Sequence, residues 1–77
     1  MYFVYAIKSL SRNYIYVGLT SDLQERVVRH NSGYEKTTAP YKPFDLIYSE
    51  KCENRILARQ REKYLKSGVG KEFLKTL

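Results

Sequence analysis

Two short runs rich in tyrosine, valine and isoleucine, residues 2–8 and 14–19, flank the polar stretch SLSRN near the start of a 77-residue chain. Aromatic and β-branched side chains suit the pleated surface of a strand, and a short polar link between two such runs predicts an antiparallel hairpin. With the turn centred between Leu10 and Ser11, Tyr5 stands opposite Tyr16 and both rings share one face, because opposed residues of a ladder point the same way. Val4, Ala6, Ile15, Val17 and Leu19 then share the other face. That apolar face calls for a covering helix, and the tyrosine face is expected to stay semi-polar. A turn shifted by a single residue would undo the arrangement.

The remaining chain supplies the cover. Ser21 and Gln24 have the spacing of a capping box and Asp22 adds charge in the first turn, so a helix is predicted over 22–32, ending at Gly33. Leu23 and Val27 mark its buried stripe. Residues 33–43, GYEKTTAPYKP, hold two prolines and no periodicity and read as a loop, whereas 44–50, FDLIYSE, read as a third strand. Asn54 is placed to cap a second helix over 55–67, ending at Gly68 and burying Leu57, Ala58 and Leu65, and a short helical piece follows over 71–77. The predicted fold is one α+β domain in the order β-β-α-β-α with a last short helix: a three-stranded antiparallel sheet flanked by helices.

Charge and cysteine content narrow the function. Fourteen Lys and Arg against eight Asp and Glu give a formal charge of +6, which suits a polyanion partner, although a merely solvated basic surface has the same composition. A lone cysteine, Cys52, excludes an internal disulfide and a cysteine-built zinc site, and fits a reducing, cytoplasmic setting. The opening MYFVYAIKSL is apolar for too few residues before Lys8 to predict a signal peptide or a membrane span.

Five residues carry possible chemistry: Tyr5, Tyr16, Arg26, His30 and Glu62. Each also has an ordinary use. Tyrosine favours strands in any case, Arg26 and His30 lie one helical turn apart as many solvated pairs do, and a lone histidine more often packs than catalyses. Glu62 borders the stripe of Ala58 and Leu65, where it serves either as a helix-surface ion pair with Arg59 or Lys66 or as a metal ligand among cations.

Taken together, Phe3-Val4-Tyr5, Tyr16-Val17-Gly18, Arg26, His30 and the Glu62 of REKYLK resemble the signature of the GIY-YIG nuclease family. The likeness spans nearly the whole chain and is closest to small stand-alone bacterial members, which are similar to the N-terminal nuclease domain of the bacterial excision-repair nuclease. It implies a divalent-metal-dependent endonuclease acting on DNA, branched or damaged, in repair or recombination. The resemblance implies one Mg²⁺ or Mn²⁺ on Glu62, with Tyr5 as general base, Tyr16 orienting water or phosphate, Arg26 neutralising the phosphate and His30 assisting proton transfer. A phenol, with an ordinary pKa near 10, needs nearby positive charge to serve as a base. Lys36, Thr37 and Thr38 in the loop, and Arg59 and Lys66 beside Glu62, are candidate nucleic-acid contacts, and Gly18 offers close approach to a substrate backbone or the following helix. The alternative is a nucleic-acid-binding module that keeps the fold, does not cleave and works with a partner protein.

Overall fold

The computed structural model describes residues 1–77. Strands β1 (Tyr2–Ser9), β2 (Ile15–Thr20) and β3 (Phe44–Cys52) form one antiparallel sheet in the order β2-β1-β3, with helices α1 (Leu23–Ser32), α2 (Arg55–Lys66) and α3 (Gly68–Lys75) around it. This is the α+β architecture that the sequence predicts. Because β1 is central, alternation along it feeds two cores. Val4 and Ala6 join Val17, Cys52, Ala58, Leu65 and Leu74 under α2 and α3, while Tyr5 and Ile7 join Phe44 on the side of α1, where Leu23 and Val27 pack. The tyrosine face is therefore covered rather than semi-polar, and four successive residues of β1, Val4–Ile7, are all buried.

The hairpin differs from expectation by two residues. Tyr5 faces Gly18, and Tyr16 faces Ile7. An even shift preserves which face each side chain takes, so the two rings remain on one side as diagonal neighbours. The cause is a longer turn: the Ser9 N–H donates to the Tyr14 carbonyl, and the buried Ser9 hydroxyl accepts from the N–H groups of Ser11 and Arg12. On the other flank, a bulge between the Ala6–Tyr48 and Ile7–Leu46 pairs leaves Ile47 extra, so Ile47 and Tyr48 both reach the core under α2 and α3.

Helix ends depart in detail. Asp22, rather than Ser21, caps α1 by accepting from the Glu25 N–H, and the helix closes at Gly33 with φ 81°, a conformation that only glycine adopts without steric penalty. Asn54 caps α2 through the Leu57 N–H. Gly68 begins α3 instead of ending α2, because the Ser67 hydroxyl accepts from the Gly70 N–H and caps the new helix. Leu57, expected in the core, is 43% exposed: Ala58 and Leu65 alone form the fully buried line of α2. The loop after α1 contains a short 3₁₀ turn, Ala39–Tyr41. No helix is long and apolar enough to cross a membrane.

Candidate active site

The only histidine is the third member of the buried stripe of α1, one helical turn beyond Val27, and it is 1% exposed. Its two ring nitrogens are both engaged. Nε2 lies 2.8 Å from the Tyr5 hydroxyl and Nδ1 2.8 Å from Thr38 Oγ1, while Thr38 Oγ1 lies 3.4 Å from the Glu35 carbonyl. The single Thr38 hydroxyl proton can serve either this carbonyl or Nδ1; in the tautomer where it serves the carbonyl, Thr38 accepts the His30 Nδ1–H. Nε2 is then bare, and the Tyr5 O–H donates to it. Burial holds the His30 pKa below its usual value, with Arg26 and Arg29 adding to this and Glu35 opposing it. Burial therefore favours the neutral imidazole over the charged one.

Tyr5 is 1% exposed. Burial, then the neighbouring Tyr16, raises its pKa well above the ordinary phenol value; Arg26 pulls it down, and Glu35 and Glu62 push it up. The positive field that a tyrosinate base would need is thus outweighed by desolvation. Its ring sits directly over Gly18, where an added Cβ would lie 2.7 Å from the hydroxyl and 3.0 Å from the Tyr16 ring. Gly18 lies within β2, and the close approach it permits is that of Tyr5 rather than of a substrate or the following helix. Tyr16 is half-buried, with its ring 6.3 Å from that of Tyr5 and 5.0 Å from that of His30.

Arg26 stands at the rim of this group. Its Nη1 is 3.7 Å from the Glu35 carboxylate, which Arg29 holds more closely at 2.9 Å, and its buried Nε has no hydrogen-bond partner. Buried donors are rarely left so. Glu62 projects from α2 with its side chain 14% exposed, between Lys66 at 3.3 Å and Arg59 at 3.9 Å. Glu62 makes no hydrogen bond or ion pair with Tyr5, Tyr16, Arg26 or His30, and its charge is the smallest of the influences that raise the Tyr5 pKa. No cluster of three or more His, Cys, Asp or Glu gathers anywhere in the chain, so a cage built wholly from protein ligands is absent. A single carboxylate such as Glu62 suits a hard cation such as Mg²⁺, which takes one or two protein carboxylates and keeps several of its waters.

The loop residues divide. Lys36 and Thr37 are exposed, as phosphate contacts need to be, whereas Thr38 is completely buried and holds His30 instead of meeting nucleic acid. Arg59 and Lys66 are half exposed, each paired with Glu62. Two members of the site are not evident from sequence, Thr38 as the partner of Nδ1 and Glu35 as the anchor of Arg26 and Arg29. A buried histidine needs partners for both nitrogens, and that requirement is the available signal for Thr38.

Known proteins place the chain among relatives of one kind. Residues 1–75 match the GIY-YIG catalytic domain. The chain is similar to the UPF0213 protein from the ldhD 5′ region of Pediococcus acidilactici, with 41% identity over 82% of this chain and 67% of that protein. It is also similar to a UPF0213 protein of Clostridium perfringens, at 37% over 86% of this chain and 71% of the relative, and to one of Staphylococcus epidermidis, at 31% over 99% and 93%. No solved structure matches.

Proposed function

This chain belongs to the GIY-YIG catalytic-domain family over residues 1–75, a nuclease family, and we propose that it is a divalent-metal-dependent endonuclease that hydrolyses phosphodiester bonds of DNA. Branched or damaged DNA met in repair or recombination, in the cytoplasm, is the proposed setting, and the +6 charge suits that substrate. The observation that carries the reading is the buried hydrogen bond between the Tyr5 hydroxyl and the His30 ring, 2.8 Å long, beside an arginine with an unused donor.

With its pKa raised by burial, Tyr5 keeps its proton at neutral pH and acts as a relay rather than a standing phenolate. It passes its proton to His30 Nε2 while taking one from the attacking water. Thr38, with its proton on the Glu35 carbonyl, holds the tautomer that leaves Nε2 free. Arg26 neutralises the scissile phosphate, and the half-buried Tyr16 orients water or phosphate from the solvent side. Glu62 would hold one Mg²⁺ or Mn²⁺, which when bound offsets charge on the phosphate and on the leaving oxygen. Lys36, Thr37, Arg59 and Lys66 are proposed to contact the nucleic-acid backbone.

Supercoiled plasmid and branched oligonucleotides, incubated with Mg²⁺, with Mn²⁺ and with chelator, test this reading. Cleavage that requires metal and disappears in Glu62→Ala is the expected result. Salt-sensitive binding with no cutting of any substrate would instead make the chain a non-cleaving binding module that works with a partner protein.

A further inference from the structure

We propose that the cleft along the free edge of β2, between that strand and the junction of α2 with α3, is the track that holds the nucleic-acid backbone beside the active site. This rests on the nuclease reading above and adds residues to it. The cleft has a volume of about 550 Å³. Asn13, Tyr14 and Tyr16 line one wall and Lys66, Lys71 and Lys75 the other, and none of its nine lining residues is acidic.

Four features favour a polyanion there. Lys71 and Lys75 are one helical turn apart on α3 and so present their charges side by side, and Lys66 adds a third from the end of α2. None of the six ion pairs of the chain uses Lys71, and the Lys75–Glu72 pair, 3.6 Å long between two largely exposed side chains, is readily exchanged for a phosphate. The strand bordering the cleft is at the edge of the sheet, so its outward N–H groups are free to donate. The far wall is stiff: Tyr14 stacks on Tyr41 at 4.0 Å between ring centroids, and Ser9 ties the turn before Tyr14 to the Tyr41 carbonyl at 2.6 Å.

Tyr16 belongs to both the cleft and the cluster around His30. A backbone lying against the lysines is thereby led past Tyr16 toward Arg26. The contacts offered are almost all cationic side chains and backbone donors. Such contacts position a strand without reading its bases, so the cleft contributes affinity and register rather than sequence preference.

The test measures binding of a labelled DNA duplex and its separated strand by fluorescence anisotropy across a salt series, in chelator, alongside plasmid cleavage in Mg²⁺. Lys71→Gln/Lys75→Gln is compared with Lys42→Gln/Lys51→Gln, which removes equal charge away from the cleft. The cleft variant is expected to bind about tenfold more weakly or worse, with a log–log salt slope smaller by about 2, and the control to stay within about twofold of the parent. Circular dichroism melting should be unchanged for both, since these lysines are exposed. Equal losses in the two variants would reduce the effect to net charge and overturn the proposal. So would unchanged binding in the cleft variant while the parent binds and cuts, an outcome that leaves the nuclease reading intact. Displacement of the DNA by a polyglutamate peptide at equal charge concentration would reassign the cleft to an acidic protein partner. A parent protein that neither binds nor cuts DNA would sink both proposals.

Discussion

The two faces of the sheet are built from alternate residues of the same strands and have opposite chemistry. Under α2 and α3, Val4, Ala6, Val17, Cys52, Ala58, Leu65 and Leu74 form a core with no polar side chain to satisfy. Under α1, Tyr5, His30 and Thr38 are buried equally deeply, and all three are linked by hydrogen bonds. The first face gains by removing apolar area from water, about 25 cal/mol per Å². The second gives up part of that gain to hold polar groups in one geometry, where each unpaired donor would cost about 1–3 kcal/mol. Parity along β1 thus places apolar packing on one face and the hydrogen-bonded Tyr5, His30 and Thr38 on the other, while Glu62 sits on α2, the helix of the apolar face.

The sharpest way to break this comparison is to damage each face in turn. Leu65→Ala should remove about 2–5 kcal/mol of stability, read by urea denaturation, while leaving the cleavage rate per folded molecule within a few-fold of the parent. Tyr5→Phe should chiefly affect chemistry, lowering cleavage by about 10²–10⁴-fold with a stability loss of about 1–3 kcal/mol from the unpaired His30 nitrogen. Equal effects of both substitutions on both readouts would erase the distinction.

Gly18→Ala crosses the boundary, because the new Cβ meets the Tyr5 hydroxyl at 2.7 Å and its ring carbon at 2.9 Å. Overpacking of this kind costs about 1–3 kcal/mol. The larger loss is expected in cleavage, since the phenol can yield only by leaving His30. Thr38→Val, which strands the His30 Nδ1–H, should slow cleavage about ten- to hundredfold, the range seen when the outer partner of a functional histidine is removed. Thr38→Ser should restore most of the rate, whereas a purely space-filling role for Thr38 would make valine the better replacement.

The smallest effect is on pH. His30 has its folded pKa depressed below the unfolded value of 6.5, so below that pH the unfolded chain binds a proton that the folded chain refuses. Its contribution to stability is complete above about pH 6.5 and is lost progressively as pH falls toward the lower folded value. Denaturation midpoints measured between about pH 7.5 and 5.5 should decline for the parent and decline less for His30→Gln.

Much of this is legible in the strands and little of it in the loop. Parity survives the difference in hairpin register because the shift is an even number of residues, which keeps Tyr5 and Tyr16 together. The register itself depends on Ser9 hydrogen bonds to the turn and to Tyr41, thirty-two residues away, and such long-range ties leave no local pattern. Leu57 fits the apolar stripe by spacing yet stays half exposed, because α2 buries only a narrow line, Ala58 and Leu65. Thr38 reads as a surface donor since residues 33–43 have no periodicity, and only the folding of that loop over α1 buries it against His30. Spacing places Glu62 at the border of the core, and its low exposure agrees. Its ion pairs with Arg59 and Lys66 are the ones that spacing on a helix dictates.

The central claim is that Tyr5 and His30 act as one proton-transfer unit, and a double-mutant cycle on cleavage tests it most directly. Single-turnover rates in Mg²⁺ would be measured for Tyr5→Phe, His30→Gln and the pair together. A double variant no slower than the worse single variant is the predicted result, because either substitution already breaks the relay. Losses that multiply, with the double variant slower by the product of the two single effects, would show the two groups working independently and contradict the account.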